Sequence, residues 1–284
     1  MTMRVGVLGL GVIGQPIAAR LVKAGFEVAV FDVRDEPMAA LRREGAVPCA
    51  SPAAVAARSE LIISLVSDAA QTEAVVSGND GILGALRPES IFATGSTLGP
   101  APVRAIAERL ASHGCATLDA PISGGYLAAA EGTLSLMIGG AQTTLARALP
   151  VLRAFATNIT RVGDVGAGQV AKLAHQLVCS VNAMTLLEGL ALGVAGGVEP
   201  EALKQVLREG VADSRVLRLW ENLGPRWKGM LKAPVPGDAP SNLQKDLHLV
   251  LELARELGLE LHVTPAASEA ADRGVATGRD NPGL

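Results

Sequence analysis

The sequence predicts an α/β chain in two parts: a doubly wound, mostly parallel sheet over residues 1–163 and an all-helical part over 164–284. Three observations predict it. Short apolar runs alternate with amphipathic stretches as far as Val162, the pattern of strands joined by crossover helices. The first of these runs leads straight into Gly9-Leu10-Gly11-Val12-Ile13-Gly14 and then a helical pattern. From Gly163 to Gly197 the chain has no proline and consists mostly of Ala, Leu and Val, and no strand pattern follows it. That run predicts a long helix over about 168–195, buried all round and ended by Gly196-Gly197.

Composition narrows the function classes. With 284 residues the chain can form two domains around a large core. It is 49% hydrophobic with a formal net charge of −3, has no basic patch, and carries only two Trp, one Tyr and four Phe. Nucleic-acid binding by charge or by base stacking is therefore not expected. Cys49, Cys115 and Cys179 are isolated, which argues against a disulfide framework or zinc knuckle, and the four histidines show no metal-ligand spacing. The apolar N-terminus holds three phased glycines and no cleavage signal. The long helix contains Lys172, His175 and Glu188 and reads as core, not as a membrane span. A cytoplasmic enzyme with no membrane or nucleic-acid partner is the expectation.

The elements follow in order. Arg4–Leu8 reads as the first strand, a helix runs to Lys23 and stops at Gly25, and Glu27–Phe31 is a second strand ending at Asp32. Gly9 permits the tight turn, Gly11 lets backbone approach a pyrophosphate, and Gly14 lets helix and strand pack closely. Val12 and Ile13 lie where a helix N-terminus offers free N–H donors to phosphate. This Rossmann-like unit predicts a nicotinamide dinucleotide. Asp32 suits the ribose hydroxyls of NAD and repels a 2′-phosphate; Arg34 is the feature that would favour NADP instead, and otherwise is a solvated loop charge.

Leu61–Val66 reads as a buried strand, with Ser67-Asp68 capping the next helix; Ser90–Thr94 is another, running into Gly95-Ser96-Thr97. Cys115–Leu118 ends in Asp119-Ala120-Pro121-Ile122-Ser123-Gly124-Gly125, and Leu134–Ile138 and Ile159–Val162 flank a helix near Thr144–Phe155. Ligands of such sheets sit at the carboxyl ends of the strands. Gly9–Gly14, Val66–Asp68, Ser96–Thr97 and Ser123–Gly125 all fall there, giving four candidate contact loops on one edge. Beyond the long helix, helices are expected over Glu199–Glu209, Gly210–Asn222, Gln244–Leu257 and Ala266–Arg273, with a loop over Lys232–Pro240 and with Trp220 and Trp227 packed.

Lys172 stands apart from the rest of the long helix. Lys172 is expected in the first turn of the helix, where a cation opposes the macrodipole, and an apolar setting disfavours its charge further. Both effects suit a group that exchanges protons near neutral pH. Gln176 is its i, i+4 neighbour.

Four segments together resemble the β-hydroxyacid dehydrogenases: Gly9–Gly14, Asp119–Gly125, Gly166-Ala167-Gly168 with Lys172, and Lys245-Asp246-Leu247. The resemblance covers essentially the whole chain. It implies a Rossmann domain, an inter-domain helix and a helical domain that mediates assembly, as a homodimer or homotetramer. It also implies that Lys172 is catalytic, that Ser123, Gly124 and Gly125 hold the substrate carboxylate, that Ser96 and Thr97 lie near the nicotinamide, and that Lys245 lines the cofactor cleft. Two positions depart from the family pattern. His175-Gln176 replaces the usual Asn-Asn or Asn-Gln; Gln176 keeps an amide for the substrate hydroxyl, while His175 is either a second polar contact or a packed side chain. Thr94 replaces a frequent aspartate.

The expected activity is hydride transfer between NAD, with NADP as the alternative, and a small 3-hydroxy acid, Lys172 serving as general acid/base. A 6-phosphogluconate-type substrate would need more cations than the scattered Arg208, Arg215 and Arg218. Imine reductases share the architecture but usually replace the lysine. A non-catalytic dinucleotide-binding module would not need Lys172 together with Ser123–Gly125.

Overall fold

The computed structural model of the chain describes residues 3–219 and 241–273. Contacts divide the chain into two compact units, Met1–Lys172 and Leu173–Leu284.

The first unit is a nine-stranded sheet. Strands β1 (Val5–Leu8), β2 (Val28–Phe31), β3 (Val47–Pro48), β4 (Leu61–Ser64), β5 (Ile91–Thr94) and β6 (Ala116–Asp119) pair in parallel in the order β3-β2-β1-β4-β5-β6. Beyond β6 the sheet turns antiparallel: β8 (Leu134–Gly139) pairs with β6 and with the two-residue β7 (Ile122–Ser123), and β9 (Ala156–Gly163) runs parallel to β8. The core strands are apolar throughout because both faces are covered. Alternation along each strand sends Val5, Val7, Leu61 and Ile63 into one cluster, and Leu8, Ile62 and Phe92 into the other.

Seven helices cover the faces: α1 (Gly14–Lys23), α2 (Asp35–Glu44), α3 (Pro52–Ala56), α4 (Ala69–Ser77), α5 (Pro100–Ala111), α6 (Gly125–Glu131) and α7 (Gln142–Leu152). Helix α1 buries Gly14, Ile17, Ala18 and Leu21, an i, i+3, i+4, i+7 stripe. Asp68 alone caps α4, accepting the Gln71 N–H at 2.8 Å; Ser67 is not the cap, and its own N–H donates to Gln71 Oε1.

Helix α8 spans Ala167–Ala195 and crosses the division between the units. Two expectations for it need correction. It is not buried all round: Val170, Val178 and Leu192 are exposed by 36%, 57% and 77%, with Ala174, Asn182, Thr185 and Gly189 on the same stripe. Lys172 also lies in the second turn, since the helix starts at Ala167.

In the second unit, α9 (Pro200–Glu209) is capped by the Glu199 carboxylate. Residues 211–214 are not helical and 215–219 are, so the helix expected from Gly210 starts later; its continuation to Asn222, Trp220, Trp227 and the 232–240 loop lie outside the described residues. Helices α10 (Asn242–Glu256) and α11 (Thr264–Arg273) follow among the described residues. Ser241 and Gln244 form a reciprocal capping box at the start of α10. Met184, Leu187, Leu190, Leu243, Leu247, Ala267 and Ala271 make the core, and among the described residues there is no strand after Gly163.

Candidate active site

The carboxyl edge of the sheet gathers the predicted loops of the first unit. At the end of β1 the three glycines have distinct surroundings. Gly9 adopts φ +89° and a Cβ there would meet the Leu65 carbonyl carbon at 2.9 Å. A Cβ on Gly14 would run into the Gly9 carbonyl oxygen, so this glycine lets α1 start directly against the turn. A Cβ on Gly11 would meet nothing within 4 Å. Gly11 therefore keeps open the space over the turn, where a phosphate would approach. No side chain caps α1 at Ile13, and no acidic residue occupies its first turn, so its positive end is left for an anion. Val12 is exposed on this turn and Ile13 packs against the core. These features fit a dinucleotide pyrophosphate.

Asp32 ends β2 next to this turn. Its Oδ2 accepts the Leu10 N–H at 2.6 Å, and its Oδ1 accepts the backbone N–H and Nε of Arg34 at 3.0 and 2.9 Å. Burial by itself would raise the Asp32 carboxyl, but the Arg34 side chain and the two backbone donors outweigh it and hold the group below its ordinary range. The guanidinium of Arg34 also donates to the Leu10 carbonyl at 3.2 Å. Arg34 is the solvated loop charge of one of its readings, with its side chain 60% exposed, and its guanidinium is also folded onto Asp32.

The other three loops are tied to one another. Ser96 donates its hydroxyl to the Val66 carbonyl at 2.6 Å, joining the ends of β4 and β5. Gln169, in the first turn of α8 and fully buried, donates Nε2 to the Ser96 carbonyl at 3.0 Å. Its Oε1 accepts the N–H groups of Leu98 and Gly99 at 2.9 and 3.2 Å. Asp119, at the end of β6 and also fully buried, accepts the Gly166 N–H on Oδ1 at 3.0 Å and the Gln169 N–H on Oδ2 at 2.9 Å. Burial pushes the Asp119 carboxyl up, and the backbone donors of Gly166, Gln169 and Gly168 pull against that. Lys172, only 7% exposed, donates Nζ to the Ile122 carbonyl at 2.8 Å.

Ile122 and Ser123 form β7, with Ser123 opposite Ser135. The Ser123–Gly125 segment is therefore a strand end running into α6, not a free turn; Gly124 and Gly125 have φ +130° and +71° and are exposed. Thr97 is half-buried beside Ser96. The edge thus brings Gly9–Gly14, Asp32, Val66, Ser67, Thr97, Ser123–Gly125 and Lys172 together within the first unit.

In the second unit, Gln176 Nε2 donates to Asp246 Oδ2 at 2.6 Å, and Lys245 Nζ lies 3.5 Å from Asp246 Oδ1. Asp246 is buried. His175 is half-buried on the same turn of α8 as Gln176. Asp119, Gln169 and Asp246 are the polar residues for which the sequence suggested no role. Two of them sit inside the quoted motifs, which was the only signal available.

No group of three or more His, Cys, Asp or Glu residues arranged to hold a metal occurs among the described residues. Comparison with known proteins places the chain. Residues 4–163 match the family model for the NAD-binding domain of 6-phosphogluconate dehydrogenase, and residues 166–282 match that for the NAD-binding part of NADP-dependent 3-hydroxyisobutyrate dehydrogenase. The chain is 36% identical over 271 residues to L-threonate dehydrogenase of Cupriavidus necator, covering 95% of this chain and 89% of that one. It is 35% identical over 257 residues to 3-hydroxyisobutyrate dehydrogenase of Pseudomonas aeruginosa, covering 88% and 85%. A crystal structure of 3-hydroxyisobutyrate dehydrogenase from Salmonella typhimurium superposes with a TM-score of 0.82 at 30% identity, covering 94% and 92%. With both halves matched and the dinucleotide turn in place, the chain belongs to the β-hydroxyacid dehydrogenases and is a nicotinamide-dependent oxidoreductase.

Proposed function

We propose that the chain interconverts a small 3-hydroxy acid of the 3-hydroxyisobutyrate type and its carbonyl counterpart, with Lys172 as general acid/base. The observation that carries this reading is the placement of Lys172. Its amine is withdrawn from solvent and anchored on the Ile122 carbonyl, one residue before Ser123. A carboxylate held by Ser123, Gly124 and Gly125 would present its 3-hydroxyl to that amine, and Gln176 would orient the reacting oxygen. Hydride transfer is the chemistry a bound nicotinamide supplies. In oxidation Lys172 takes the hydroxyl proton; in reduction it returns one to the oxygen. Val66, Ser67 and Thr97 are the cofactor contacts of the first unit in this reading; on the second, His175 is a substrate contact and Lys245, by the family resemblance, a cofactor contact.

NAD is the cofactor this reading favours. A 2′-phosphate would meet the Asp32 carboxylate, and the Arg34 guanidinium that would attract it is engaged with Asp32 and Leu10. The matched ranges support a dinucleotide-binding domain at 1–163 and a substrate and assembly domain at 164–284. The resemblance to the family supports a homodimer or homotetramer. A cytoplasmic location accords with the composition.

The test is nicotinamide absorbance during incubation with 3-hydroxyisobutyrate, 3-hydroxypropionate, glycerate, threonate and 6-phosphogluconate, each with NAD and with NADP, for wild type and Lys172→Ala. We expect turnover of one of the smaller acids with NAD, reduced by about 10²- to 10⁴-fold in the variant while NAD still binds. Undiminished turnover in Lys172→Ala would end the assignment of the lysine. Silence across the panel with NAD bound would point to an imine reductase or a non-catalytic module.

A further inference from the structure

Lys172 is not placed by its own helix alone. The first turn of α8 is secured at two points by buried polar side chains, and each point is specific. Asp119 comes from β6, 47 residues before Gly166 in sequence, and its two oxygens take N–H groups that a helix start otherwise leaves without partners. Gln169 reaches the other way, its NH2 group donating to the Ser96 carbonyl and its oxygen accepting the N–H groups of Leu98 and Gly99. The packing leaves no slack. A Cβ on Gly168 would sit 2.7 Å from Asp119 Oδ2, and one on Gly139 would run into Oδ1. Gly168 and Gly139 thus make the room in which the carboxylate is seated.

We propose that Asp119 and Gln169 are positioning residues for the reaction: together they fix the first turn of α8 between the loops that follow β5 and β6, and so set where the Lys172 amine meets the substrate. Gln169 precedes Lys172 by three residues, so the two lie on one side of the helix, and the Ile122 carbonyl that receives Nζ continues the chain from Asp119. A shift of the helix start would carry Lys172 with it relative to Ser123. Misplacement of a reacting group by about 1 Å costs on the order of 100-fold in rate. The inference rests on the proton-transfer reading of Lys172 and adds the residues that hold it in place.

The closing experiment compares wild type, Asp119→Asn, Gln169→Glu and Lys172→Ala. Asn puts an NH2 group where two or more N–H donors converge; Glu keeps the acceptor for Leu98 and Gly99 and removes the donor to Ser96. Three readouts are needed: NAD affinity, the single-turnover rate constant for nicotinamide reduction with the acid found in the panel, and amide hydrogen exchange. We expect NAD affinity to fall by less than the rate constant does, because the glycine turn is held by other bonds and only the loop carrying Thr97 shares the altered contacts. The rate constant should fall by about 10- to 100-fold with its amplitude retained, and exchange should quicken at 166–172 but not in β1–β5. A purely structural role would lower the amplitude in step with the folded fraction, leave the rate constant alone and quicken exchange across the sheet; that result, or wild-type kinetics, overturns the proposal. If Asp119→Asn does not fold, Gln169→Glu decides by the same criteria. Full turnover in Lys172→Ala marks a failure of the earlier reading. An inactive Lys172→Ala beside unslowed Asp119→Asn and Gln169→Glu marks a failure of this one.

Discussion

Gly11 and Gly14 belong to one motif, and the structure separates their tasks. A methyl group on Gly14 must displace the Gly9 carbonyl, while one on Gly11 enters open space. Gly14→Ala should therefore lower the melting temperature of the free protein, whereas Gly11→Ala should leave it unchanged and weaken NAD binding by about tenfold or more, since the lost interaction is made only with the cofactor. Thermal melts with and without NAD check both; a Gly11→Ala protein that binds NAD as wild type would remove the phosphate from this turn. The Asp32–Arg34 pair makes a second test at this scale. Replacing Asp32 by Ala removes the carboxylate that repels a 2′-phosphate and releases the guanidinium that can bind one. The ratio of kcat/KM for NADP to that for NAD should rise by about tenfold or more. An unchanged ratio would mean that neither side chain reads the ribose. The glycine turn and Asp32 were legible in sequence because their spacing is local. Asp119 and Gln169 were not, because their partners are backbone groups 47 to 73 residues away. Nothing in a one-dimensional pattern shows which carboxylate seats which helix.

At the scale of elements, legibility followed burial. Strands β1, β4 and β5 are buried on both faces, so unbroken apolar runs announced them within two residues at either end. Strand β9 extends further than Ile159–Val162 suggested, because its exposed positions include Thr157, which falls at a register shift, and the polar Asn158, Thr160 and Arg161, which pair with β8 only. The two-residue strands β3 and β7 leave no periodic signal; β7 hid inside a motif that read as a contact loop. Helix α8 shows the opposite error. Composition made it look enclosed on every face, since small apolar side chains carry little information about which side is covered. Val170, Val178 and Leu192 on its exposed stripe are as apolar as the buried Leu173, Leu187 and Leu190, so the stripe became visible only in three dimensions.

At the scale of the whole molecule, the sequence places the domain boundary at 163/164, where the strand pattern stops, and the contacts divide the chain at 172/173. The nine residues between them have a physical reason to travel with the sheet: Gly166 and Gln169 bond to Asp119, and the Gln169 side chain bonds to Ser96, Leu98 and Gly99. Fragments 1–163 and 1–172 should differ accordingly. The shorter one leaves those groups to water; the longer one keeps these five hydrogen bonds and the Lys172–Ile122 bond besides, each contributing about 1 kcal/mol net before the cost of ordering the added segment. At about 2–4 °C per kcal/mol for a unit of this size, a net gain of even half that sum raises the melting temperature by several degrees. We therefore expect 1–172 to melt several degrees above 1–163, with both fragments retaining β1–β5. Equal melting temperatures would mean that residues 164–172 hold their position only when the remainder of α8 is present, and the anchor at Asp119 would then be a consequence of the long helix and not its foundation.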